Sequence, residues 1–184
     1  MMPDEREDKS AGIPGCIRQM TNLERSFLFT PGCNVCIVAR ITGNVSEHEL
    51  SHAMDMARSI HPLIGAKIVF DELHDSWFSN DNVPALPLRV TKRTSDTQWF
   101  EEIQCEQRIP FELEKGPLIR FILLHSPDVS DLIVVCNHSI CDGMALANLV
   151  RDILINYADY EREITVLNPP EIIKLFPTKR VFSL

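Results

Sequence analysis

Apolar positions along this chain fall in short blocks, and the spacing within a block changes from one block to the next. Leu132-Ile133-Val134-Val135-Cys136-Asn137 is a β-branched run of strand length. Beyond it Met144, Leu146, Leu149, Val150, Ile153, Leu154 and Tyr157 recur at the three- and four-residue intervals of a buried helix face, which predicts a helix running to about Glu161. Leu118–Leu124 reads as a further strand. The turn-forming Ser126-Pro127-Asp128 behind it predicts that the two strands pair as a hairpin.

The same reading orders the rest of the chain. Strands are predicted over Val35–Ile41, Ala66–Phe70 and Leu88–Thr91, with a hairpin and surface loop over Asp71–Pro87. Thr21 with Glu24 forms a capping box for a short helix carrying Leu23, Phe27 and Leu28, ended by Pro31-Gly32. Ser46 with Glu49 forms a clearer one, followed by Leu50, Ala53, Met54, Ala57 and Ile60 at helical spacing until His61-Pro62. Asp96 is expected to cap a helix to about Arg108, with Trp99, Phe100 and Ile103 on its apolar side. Helices and strands alternate without a glycine-rich phosphate loop. The expected class is therefore α/β, a two-layer sandwich of a mixed, largely antiparallel sheet with helices packed on it.

At 184 residues the chain supports one domain with a full core. Residues 1–15 combine dense charge with Gly12, Pro14 and Gly15 and are expected to be a disordered lead-in. Residues 16–165 form the expected domain, and residues 166–184, broken by Asn168-Pro169-Pro170, the expected linker or docking tail. A net charge of −8 without a Lys/Arg cluster argues against a nucleic-acid partner. No apolar run is long enough to span a membrane and the first residues are charged, so a cytoplasmic protein is expected. Most of the six cysteines lie in apolar runs, which predicts reduced, unbridged core thiols.

His138 is the candidate functional residue. It follows the strand and precedes the helix, so rigid elements on both sides fix the imidazole at the carboxyl end of a strand, where open sheets place their chemistry. Without further context a structurally satisfied histidine is the commoner reading of such a position.

Three ordered motifs change that balance. Asn137-His138-Ser139-Ile140-Cys141-Asp142-Gly143 resembles the HHxxxDG signature of the chloramphenicol acetyltransferase-like superfamily, which includes the condensation domains of nonribosomal peptide synthetases. Phe111-Glu112-Leu113-Glu114-Lys115-Gly116-Pro117-Leu118-Ile119-Arg120 resembles its F-D-L-x-x-G-P-L-x-R segment, and His61-Pro62-Leu63-Ile64 its H-P-x-L helix exit.

The resemblance covers residues 16–165 and only the first of the two similar halves of a condensation domain; nothing in residues 144–184 resembles the DFGWG-like latch of the second. It implies a fragment or split subunit, or a site closed by self-association. It also implies an acyltransferase half that moves an acyl group from a coenzyme A or carrier-protein thioester to an alcohol or amine, with no permanently bound cofactor.

His138 would be the general base, a role imidazole suits because it accepts and returns a proton near neutrality. Asp142 would brace the loop through an arginine, and Gly143 would allow close approach of the substrate arm. Asn137 replaces the first histidine. Gly65-Ala66-Lys67 stands where the family places an arginine, which leaves Arg120 or Arg25 as the partner of Asp142.

Other readings stay open. A catalytically silent module that docks a carrier protein or partner subunit fits Asn137 and the missing half. A zinc site using Cys33, Cys36, Cys136, His138 and Cys141, or Cys141 as a nucleophile, lacks a second CxxC or a third group, so no metal is expected. Trp77, Phe78 and Trp99 are candidate channel walls that read more simply as core. Lys92, Arg93 and Lys67 are candidate phosphate contacts that read more simply as a solvated face.

Overall fold

The computed structural model describes residues 12–28, 30 and 32–164. In chain order its elements are β1 (Cys16–Gln19), α1 (Asn22–Leu28), β2 (Asn34–Thr42), α2 (Glu47–Ile60), a 3-10 turn (Pro62–Gly65), β3 (Lys67–Phe70), β4 (Ser76–Ser79), β5 (Leu88–Lys92), α3 (Gln98–Glu106), β6 (Ile119–His125), β7 (Val129–Asn137) and α4 (Gly143–Ile164). The strands sort into two sheets, a small antiparallel one ordered β1-β4-β3 and a larger one ordered β2-β7-β6-β5. In the larger sheet β5 runs parallel to β6 and every other pair is antiparallel, so the sheet is mixed as expected. Residues 1–11 of the expected lead-in and the expected tail lie outside the described residues; residues 12–15, expected to belong to that disordered lead-in, are instead tied to the end of β4, where the Ser79 hydroxyl donates to the Pro14 carbonyl (2.7 Å) and the Asn80 amide to the Gly15 carbonyl (2.9 Å).

Strand alternation decides what each face of the larger sheet meets. Leu132, Val134 and Cys136 of β7 point with Phe121 and Leu123 of β6 toward α2 and α4, which bring Leu50, Ala53, Met54, Ala57, Leu146, Leu149, Val150 and Ile153. Ile133 and Val135 point the other way, with Ile122 and Leu124, onto Trp99 and Ile103 of α3. Each Val, Leu, Ile, Phe or Met among them contributes about 1.5–3 kcal/mol on full burial.

On that second face sits a charge. Asp131, 0% exposed, is held by Arg40 Nε at 2.7 Å and Arg93 Nε at 2.8 Å. Arg93 is therefore spent on a buried carboxylate, which corrects its reading as a solvated or phosphate-facing cation. Trp77 and Phe78 are buried, the core reading.

The FELEKGPLIR segment joins the sheets. Ile68 of β3 donates its amide to the Leu113 carbonyl at 2.8 Å, and Leu118 is buried with Ile68 and Phe78 while the next residue, Ile119, enters the helix-covered core. Gly116 has φ of +63°, and a Cβ there would stand 2.7 Å from the Ala66 carbonyl oxygen, so the backbones approach this closely only through glycine.

Three predicted core residues are instead exposed: Ile60 (61%), Phe100 (53%) and Met144 (71%). Ile60 and Met144 stand in the last turn of α2 and the first of α4, and spacing alone does not tell a covered turn from an overhanging one. Asp96 does not cap α3; its carboxylate takes an Arg93 hydrogen bond at 2.6 Å, and Thr97 holds the cap position without a side-chain bond. A guanidinium offers the stronger, charge-assisted donor. The Thr21–Glu24 capping box closes in both directions, with Thr21 N donating to Glu24 Oε2 (2.8 Å) and Glu24 N to Thr21 Oγ1 (3.3 Å); Ser46 caps α2 by accepting the Glu49 amide (3.4 Å), but its own amide donates to the Tyr157 hydroxyl (3.0 Å), so the second box forms only in half.

Candidate active site

β7 lies between β2 and β6, so residue 138 leaves the sheet at the carboxyl end of an interior strand. The turn that follows is built by Asn137. Its side-chain oxygen, buried with the rest of the residue, accepts the Ser139 amide at 3.0 Å, its carbonyl accepts the Ile140 amide at 3.1 Å, and its own amide is bound to the Leu118 carbonyl. Asparagine thus does a turn-forming job through its short amide.

His138 donates its backbone amide to the Cys33 carbonyl at 3.2 Å, which ties the turn to the start of β2. Its imidazole is half-buried and lies flat on Phe27, with ring centroids 4.2 Å apart and planes 5° from parallel. Among the described residues neither ring nitrogen of His138 has a hydrogen-bond partner. Phe27 comes from α1 and was not a candidate on sequence grounds; helical spacing marked it as apolar and carried no sign of its neighbour.

Asp142 is exposed and accepts the Ala145 amide at 2.7 Å, so it caps α4, where a carboxylate also meets the positive end of the helix dipole. It has no arginine partner among the described residues, which corrects the expected pairing. Arg120 lies in an ion pair with Glu106 at 2.9 Å, bonds the carbonyls of Glu106 (2.9 Å) and Ile109 (3.0 Å), and stacks over Phe111. A guanidinium fork offers several donors to the carbonyls at and beyond the end of α3, and Glu106 supplies the carboxylate. Arg25 pairs with Asp75 at 3.3 Å.

Among the described residues nothing stands within 4 Å of a Cβ built on Gly143, and its φ is not left-handed, so none of them demands glycine there. The sulfurs of Cys136 and Cys141 are paired across the turn, where unbridged thiols were expected; Cys33, Cys36 and Cys105 are not bridged. That pairing also removes Cys141 as a free nucleophile. Burial pushes the Cys36 thiol up from its ordinary value. Among the described residues no group of three or more His, Cys, Asp or Glu is placed to hold a metal ion, and no helix is long and apolar enough to cross a membrane.

Next to the turn lies a groove of about 350 Å³, walled by Ile60, Pro62, Leu63, Ile140, Cys141 and Leu149. Nearby, His61 Nε2 meets Asp152 Oδ2 at 2.9 Å and ties the end of α2 to α4. The bond to His61, then that from Arg151, holds the Asp152 carboxyl below its usual range. His61 carried a motif in the sequence but no role; its partner is distant in the chain.

The condensation-domain family model matches residues 18–172. Nonribosomal peptide synthetase 32 of Fusarium pseudograminearum is 26% identical over 131 residues, 65% of this chain and 1% of that protein. Among solved structures, the first condensation domain of the CDA synthetase gives a TM-score of 0.70 at 14% identity, over 84% of this chain and 42% of that one. The starter condensation domain of the rhizomide synthetase RzmA gives 0.68 at 13%, over 79% and 38%. This chain spans under half of either solved domain and a small fraction of the synthetase, and at these identities the structural likeness is one of fold.

Proposed function

The chain belongs to the condensation-domain family, and from that premise we propose that it supplies the base-bearing half of an acyltransferase, with His138 as general base. The observation that carries this reading is the half-buried imidazole at the carboxyl end of β7, whose nitrogens no described residue engages. An alcohol or amine attacks the carbonyl carbon of an acyl thioester, and His138 takes the proton that the acceptor loses. The carbon–sulfur bond then breaks and His138 returns the proton to the leaving thiolate.

The thioester is carried by coenzyme A or by the phosphopantetheine arm of a carrier protein. Open space over Gly143 suits the approach of such an arm. The apolar groove beside Ile140 and Cys141 suits the apolar part of the acyl group. Asn137 and Asp142 act on the turn and the helix start, holding the base between them. A second similar half, or a second copy, provides the facing wall.

The test follows thiol release from a panel of acyl-coenzyme A and acyl-carrier thioesters offered to mixed alcohols and amines. His138→Ala is expected to lower turnover by roughly 10²–10⁴-fold while the melting temperature stays nearly unchanged. Equal thiol release by wild type and variant overturns the catalytic role. Carrier-protein binding without any turnover establishes the silent docking module instead.

A further inference from the structure

A general base is commonly oriented by a hydrogen bond to its second nitrogen. His138 has no such bond among the described residues. What touches the ring is the face of Phe27, parallel and at 4.2 Å. The proton-accepting and proton-donating positions of imidazole lie in the ring plane, at its edge. Stacking on the face leaves both of them unobstructed, yet it resists rotation about the bond from Cβ to the ring, because turning would drive ring atoms into the phenyl group.

We propose that Phe27 is the positioning residue of His138, holding the imidazole in one orientation from a separate helix. For its kinetic consequence this rests on the acyl-transfer reading; for the orientation itself it does not.

α1 is short, and it is held on several sides. The Glu24 carboxylate closes the capping box with Thr21 and takes two hydrogen bonds from Arg18, at 2.6 and 2.9 Å. Arg18 lies over the Phe78 ring in β4. Arg25 reaches the Asp75 carboxylate and the His74 carbonyl on the far side of the β3–β4 hairpin turn. Leu28, next to Phe27, is buried with Ile68, Phe78 and Leu118. Phe27 is therefore presented by an element anchored to the small sheet, while His138 is presented by the larger one. The stacked pair spans the two.

The experiment compares the full chain with Phe27→Leu and Phe27→Trp, using histidine labelled for proton–carbon NMR and His138→Gln to assign the signal. In wild type the carbon-bound ring protons of His138 are expected at one upfield position, shifted by the ring current of Phe27. Phe27→Leu returns them to the range of the other histidines, and Phe27→Trp keeps them upfield. In the thiol-release assay Phe27→Leu lowers kcat by roughly 10- to 100-fold with KM nearly unchanged, and Phe27→Trp restores most of the loss.

His138 signals that do not move in Phe27→Leu overturn the proposal, as does a displaced signal with unchanged kcat. Should Phe27→Leu melt well below wild type, the tryptophan variant decides, since it keeps an aromatic face and fills the site. If wild type itself releases no thiol, the acyl-transfer reading fails and the NMR comparison still decides whether the two rings stack, on which the orientation rests.

Discussion

Ser139, one residue past His138, is 1% exposed, and its hydroxyl has no hydrogen-bond partner among the described residues. A buried hydroxyl without a partner carries a desolvation penalty that a methyl group does not. Ser139→Ala is therefore expected to raise stability by about 1 kcal/mol, read from urea midpoints, since Asn137 binds the backbone amide of residue 139 and loses nothing. At this scale the sequence placed His138 at the end of a strand, because a β-branched run stops beside it. It did not disclose that Asn137 shapes the turn or that Phe27 covers the imidazole, since the first depends on a buried side-chain rotamer and the second on a contact between elements far apart in the chain. The expected Arg120 to Asp142 pair failed for the same reason. Opposite charges announce themselves in a sequence, but their pairing does not.

Elements were read well where the signal is local. The Thr21–Glu24 box and the Ser46 cap set the starts of α1 and α2 within a residue, because a cap needs only neighbours. Asp96 misled because a guanidinium reached it from β5's end. α1 yields a pH prediction. The hydrogen bonds from Arg18, foremost, hold the Glu24 carboxyl below its ordinary 4.5, against the opposing effect of burial. A lowered folded-state pKa adds stability that is fully present above 4.5 and is lost as the pH falls through the folded value. Glu24→Gln removes that contribution. The stability gap between wild type and Glu24→Gln is expected to be present at neutral pH and to narrow as the pH drops below about 4.5, followed by urea unfolding at each pH. A gap that stays constant into acid contradicts this.

For the molecule as a whole, the α/β class and the β6–β7 hairpin were legible, but the division of strands into two sheets was not. Sheet membership depends on which strands meet, and β5 finds β6 in parallel across the intervening α3. The seam between the sheets runs through Gly116, whose left-handed backbone and contact with the Ala66 carbonyl leave no room for a side chain. Gly116→Ala is expected to lose about 2 kcal/mol or more in urea unfolding, with the loss felt by the entire fold because Leu118 and Ile119 enter separate cores directly after it.

The buried carboxylate of Asp131 sits on the strand that leads into the His138 turn, seven residues and roughly 23 Å upstream of His138 at strand spacing. Sliding β7 by a single residue would flip Asp131 from its two guanidiniums into the aliphatic layer beneath α2 and α4. The charge thus works as a register lock: an ion cluster at one end of the strand fixes how far the imidazole projects at the other.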